Sequence, residues 1–88
     1  MDRVAMIRER LTAALAPHSI DVQDDSAAHA GHAGARSGGG HFQVTIVSAA
    51  FAGKSLVERH RMVYDALGAA MRDEIHALVI RAVAPDER

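Results

Sequence analysis

Three patterns in the 88-residue sequence predict an α/β (α+β) domain in which helices pack on one face of a three-stranded mixed sheet, in the order α-β-β-α-α-β. Residues 41–48 alternate strictly, with Phe42, Val44 and Ile46 on one face and His41, Gln43 and Thr45 on the other, as a half-buried strand requires. Apolar residues recur at helical spacing near the N-terminus and again after Ser55. A run dense in β-branched and small residues, Ile75 to Val83, supplies a third strand.

The elements follow in chain order. Residues Asp2 to Ala16 place Val4, Ile7, Leu11, Ala14 and Leu15 on one helical stripe, with Asp2 as N-cap and Pro17 beyond the end. Ser19 to Asp24 alternates as a short strand, with Ile20 and Val22 on one side and Asp21 and Gln23 on the other. Ser26 to Gly40 holds five of the seven glycines and shows no period, which predicts a flexible loop between the first two strands. After the second strand, Ala49 to Lys54 is a turn with room for one helical turn. Ser55-Leu56-Val57-Glu58 then reads as a capping box. The helix it opens is expected to reach about Arg72, with Leu56, His60, Val63, Leu67 and Ala70 on its apolar stripe, Arg59 off it, and Gly68 tolerated inside at about 1 kcal/mol. Residues 85–88 are expected as a short frayed tail. Eighty-eight residues build one core, so residues 1–88 are read as a single domain.

Composition narrows the function classes. The chain has no cysteine, which removes disulfides, thiolate nucleophiles and any thiolate metal site of its own. Ten basic against eleven acidic residues give a net charge of −1, so no whole-molecule field draws in nucleic acid or an anionic membrane. No apolar run approaches the length of a membrane span, and the first residues lack the apolar core of a signal peptide. A cytoplasmic protein with no membrane partner is expected.

Catalytic constellations are weak. Gly53-Lys54-Ser55 ends like a phosphate-binding loop, but Ser48 stands where the first glycine belongs. Asp24 and Asp25 are adjacent, so on a strand they point to opposite faces and cannot act as a carboxylate pair. A non-enzymatic, binding role is therefore expected.

The six histidines are the chain's main supply of metal-ligating groups. His18 reads as a solvated turn residue and His60 as a hydrogen-bonded, semi-core residue of the second helix; His41, opening a strand beside the glycines, stays open. His29 and His32 lie in the glycine-rich loop and His76 begins the last strand, so a loop folded towards that strand end would bring them together. Spacing alone ranks that partial metal site, for zinc, copper or iron, behind solvated loop histidines and a structural His76. Lys54, Arg59 and Arg61 gather around the turn and the second helix as a local basic cluster, with Glu58 and Asp65 among them.

Four segments together resemble the BolA family: His41-Phe42-Gln43-Val44-Thr45-Ile46-Val47-Ser48, Phe51-Ala52-Gly53-Lys54-Ser55, Arg59-His60-Arg61-Met62-Val63-Tyr64-Asp65-Ala66-Leu67 and Ile75-His76-Ala77-Leu78-Val79-Ile80. The resemblance runs from the first helix to the last strand. It implies a fold similar to the class II KH topology. For function it implies an adaptor that pairs with a monothiol glutaredoxin and glutathione and shares a two-iron two-sulfur cluster in iron–sulfur trafficking or iron regulation. Carried over onto this sequence, the ligands are His76 of the family's His-Ala-Leu motif and His29 of the loop, with His32 as its rival. The partner's cysteine and glutathione supply the thiolates, so the isolated chain is expected as a monomer or weak homodimer without a cofactor. The resemblance implies, alternatively, a DNA-binding transcriptional regulator of stress response and cell morphology, using region 51–67 with Lys54, Arg59 and Arg61 as phosphate contacts on double-stranded DNA.

Overall fold

The computed structural model describes residues 2–26 and 40–87. The first helix, α1 (Arg3–Leu15), is capped by Asp2, whose carboxylate accepts from the Ala5 N–H at 3.1 Å. Ile7, Leu11 and Leu15, four apart, form its buried stripe. It closes on Ala16 in the left-handed region (φ 44°), where the Ala16 N–H donates to the Thr12 carbonyl and Pro17 blocks continuation.

Strands β1 (Ser19–Asp24) and β2 (Gly40–Val47) pair antiparallel, from Ser19 opposite Val47 to Asp24 opposite Phe42. β3 (Ile75–Val83) lies on the other side of β2 and parallel to it, which gives the expected mixed sheet in the order β1-β2-β3. Val22, Phe42, Val44, Ile46 and Ala82 are buried and belong to one core with the α1 stripe, Phe51, Val63, Leu67, Ala70 and Ile75. Asp21, Gln23, Gln43, Thr45, Val79 and Arg81 are exposed, as the alternation requires of the opposite face. The buried Ser48 side chain fastens α1 to the end of β2 by donating to the Leu15 carbonyl at 2.6 Å.

Three expectations are corrected between β2 and the C-terminus. The helix after the 3₁₀ turn Ala49–Phe51 carries the full capping box of Ser55 and Glu58, but α2 runs only over Leu56–Leu67. Gly68, at φ 55° and ψ −130°, ends it, and a separate short helix, α3 (Ala70–Asp73), leads into β3. A glycine free to leave the right-handed region made stopping easier than continuing. The buried stripe is also rotated from the expected one: Arg59, Val63 and Leu67 face inward, while Leu56 is 65% exposed. Finally, Pro85–Glu87 is no frayed tail. It forms a 3₁₀ turn tied back by Glu87, which accepts from the Ala84 N–H at 2.9 Å.

Candidate functional site

The two strand starts that flank the loop lie side by side. Gly40 pairs with Ile75 and His41 with Ala77, so the register slips by one residue and leaves His76 as the extra residue of a bulge. The slip sets the His76 ring beside that of His41, with centroids 5.1 Å apart and planes tilted by 45°. His76 is exposed and His41 half-buried. Backbone contacts hold His41 from both ends: its N–H donates to Ser26 Oγ at 3.1 Å and its carbonyl accepts from the Asp25 N–H at 2.7 Å. The Gly40 N–H donates to the Glu74 carbonyl at 3.2 Å, which ties the start of β2 to the residue before β3. Glu74 itself receives Arg3 Nε at 3.0 Å.

Ser26 and Gly40, the described ends of the loop, therefore both meet this corner of the sheet. His29 and His32 lie outside the described residues. Among the described residues no three His, Cys, Asp or Glu side chains converge as a complete metal site. His76 thus offers an exposed imidazole at this corner, beside a His41 whose Nε2 is buried, and the chain has no thiolate to add. Such a donor suits a metal centre completed from elsewhere.

The basic cluster separates. Lys54 and Arg61 are exposed, whereas Arg59 is only 9% exposed. Its guanidinium donates to Glu87 through both terminal nitrogens, at 2.5 and 2.7 Å, to the Ala82 carbonyl at 3.1 Å and, through Nε, to the Lys54 carbonyl at 3.0 Å. Arg59, expected as a phosphate contact, thus has its fork engaged inside the molecule. That pairing holds the Glu87 carboxyl down at about 2, chiefly through the Arg59 hydrogen bonds and then the Ala84 N–H. His60 also departs from expectation. It is half-buried, but its Nε2 is sealed from solvent with no hydrogen-bond partner among the described residues. His18 is exposed, as read from the sequence.

Sequence reasoning left His41 undecided and missed its pairing with His76. The signal was present only in part, since both histidines open strands. Whether those strands are adjacent and parallel is not written in either.

Comparison with known proteins agrees with this architecture. No helix among the described residues is long and apolar enough to cross a membrane. The family model described as BolA-like protein matches residues 11–87. The chain is 48% identical over 86 residues to SufE-like protein 1, chloroplastic/mitochondrial, of Arabidopsis thaliana, covering 92% of this chain and 23% of that protein. It is 40% identical to BolA-like protein 1 of Mus musculus, covering 92% of this chain and 57% of the relative, so it spans well under two thirds of either. The DNA-binding transcriptional regulator BolA of Escherichia coli is 39% identical over 74 residues, covering 84% of this chain and 68% of that one. The solved BolA domain of SufE1 from Arabidopsis thaliana superposes with a TM-score of 0.86 at 44% identity, over 100% of this chain and 98% of that one. With the order of elements, the mixed sheet and the sequence matches in agreement, the chain belongs to the BolA-like family.

Proposed function

We propose that this chain is a non-enzymatic adaptor that pairs with a monothiol glutaredoxin and shares a two-iron two-sulfur cluster with it, His76 being the adaptor's principal donor. The observation that carries the reading is an exposed imidazole on an ordered strand, at the corner of the sheet where both ends of the histidine-bearing loop meet. A cysteine-free chain contributes imidazoles only, so the thiolates come from the partner's cysteine and glutathione. An imidazole in place of a thiolate on one iron raises the reduction potential of such a cluster. In this reading the second donor is His29, with His32 as its rival.

The test is to mix the chain with a monothiol glutaredoxin, iron, sulfide and glutathione and to follow visible absorption and circular dichroism. The expected result is a spectrum distinct from that of glutaredoxin alone, lost in His76→Ala. Spectra that match glutaredoxin alone, or a shift that survives His76→Ala, would overturn the reading.

A second reading, DNA binding, is favoured by the Escherichia coli relative. With Arg59 committed internally, it rests on Lys54 and Arg61. Charge reversal at these two positions should then abolish retention on duplex DNA, and retention that persists sinks it.

A further inference from the structure

We propose that the outer edge of β3 is a self-association surface, on which a second copy of this chain seats its own β3 antiparallel about a two-fold axis at Val79. Neither reading of function above is required for it.

Backbone direction decides which groups are open. The Val83 carbonyl accepts from the Ser48 N–H on the β2 side of the strand, while the Ala82 carbonyl faces away and accepts from Arg59. Alternation along the strand then turns the backbone groups of Val79 and Arg81 towards β2 and those of Leu78 and Ile80 outward. β3 is the last strand of the sheet, and among the described residues nothing bonds the outward N–H and C=O groups of Leu78 and Ile80. Such an unpaired row is a template for another strand. The opposite edge is guarded: β1 carries Asp21 and Asp24, and Arg8 donates to the Ile20 carbonyl at 3.1 Å. β3 has no charged residue or proline from Ala77 to Ile80, and Val79 is 63% exposed.

Symmetry selects the occupant. The bulge at His76 bounds the open stretch at one end, and Arg59 on the Ala82 carbonyl bounds it at the other. An antiparallel register centred on Val79 sets Leu78 of each copy against Ile80 of the other, so every open group of these two residues finds a partner. Half-buried Leu78 and Ile80 meet on the core-facing side; on the other side Val79 meets Val79, and Arg81 lies opposite Ala77. No like charges stand directly opposed, and a net charge of −1 per chain offers little repulsion. So short an edge buries well under the about 1,200 Å² of a stable interface, which makes the pairing weak and concentration-dependent. The two-fold axis closes it as a dimer.

Sedimentation of the full chain over a concentration series, with a chelator present so that no metal bridges two copies, tests this beside amide hydrogen exchange. The expected result is a monomer–dimer equilibrium in which the Leu78 and Ile80 amides exchange more slowly as concentration rises. Directly opposed residues of this kind hold their Cα atoms about 4.5 Å apart, within the range a disulfide spans. The chain has no cysteine of its own, so Val79→Cys should cross-link into a dimer on mild oxidation. Val79→Lys should lose the dimer, and mixing it with Val79→Glu should restore one. The exchange measurement needs no substitution, so a variant that fails to fold does not decide the matter. A monomer at every concentration would overturn the proposal. So would Leu78 and Ile80 amides protected independently of concentration, which would mean that the chain covers its own edge. A dimer that survives Val79→Lys would place the contact elsewhere and overturn it too.

Discussion

Glu87 and Arg59 sit 28 residues apart, and neither side chain announces the other in the sequence. Their pairing turns an apparently solvated arginine into an internal strut between the start of α2, the end of β3 and the C-terminal turn. The Glu87 carboxyl lies at about 2 in the folded chain against 4.5 for an ordinary glutamate. The folded state therefore binds fewer protons than the unfolded one in that interval, and the pair's stabilisation is complete above pH 4.5 and lost as pH falls towards 2. Asp24 and Glu58 are also lowered, by the Ser26 and Ser55 hydrogen bonds, so the wild type loses stability there from three groups. Glu87→Gln should lower the urea midpoint above pH 4.5, and its difference from wild type should shrink steadily down to pH 2. A difference constant across that range would mean that Glu87 is not ionically paired. The strength of a buried arginine fork was not legible from residue types alone, because Arg59 sits beside Lys54 and Arg61 in the chain and only the turn of the helix separates their fates.

At the scale of elements, the strongest sequence signals are the periodic ones, and they held in α1 and β2, whereas the stripe of α2 turned Arg59 inward and left Leu56 exposed. Ile7, Leu11 and Leu15 lie inward as spaced, and Phe42, Val44 and Ile46 face the core as the alternation dictates. The capping box at Ser55 and the cap at Asp2 formed because they satisfy otherwise orphaned N–H groups locally. Where the helix boundary was misread, a glycine was involved. Gly68 ended a helix that periodicity alone carried to Arg72. Gly40 shows a different constraint, a close approach: a Cβ there would lie 2.5 Å from Phe42 Cε2 and 3.0 Å from Ser26 Oγ. Phe42 is 2% exposed and its ring has nowhere to go. Gly40→Ala should therefore cost about 1–3 kcal/mol in urea unfolding. It should also disturb the His41–His76 corner that Gly40 adjoins. A variant as stable as wild type would show that the ring can yield.

At the scale of the whole molecule, the net charge of −1 and the loss of Arg59 to an internal pair leave little for a phosphate backbone. If Lys54 and Arg61 are the phosphate contacts, two released counterions predict a slope of log affinity against log salt of about −2, measured by fluorescence anisotropy on duplex DNA. A slope steeper than about −4 would require contacts beyond these two and would restore weight to the DNA reading. The metal-sharing role proposed above makes no such demand on charge.

The sequence by itself determined the element types, the inward faces of α1, β1 and β2, the caps, the absence of thiolate chemistry and the family. Each of these is a local or compositional property, carried by spacing of 2 or 3.6 residues or by which side chains are present at all. Only the tertiary structure decided that Arg59 faces inward to Glu87 and that His41 stands beside His76. Both depend on which distant segments become neighbours. In a parallel pair such as β2 and β3, the register is set by packing of the whole core against α1 and α2, and neither strand carries it alone.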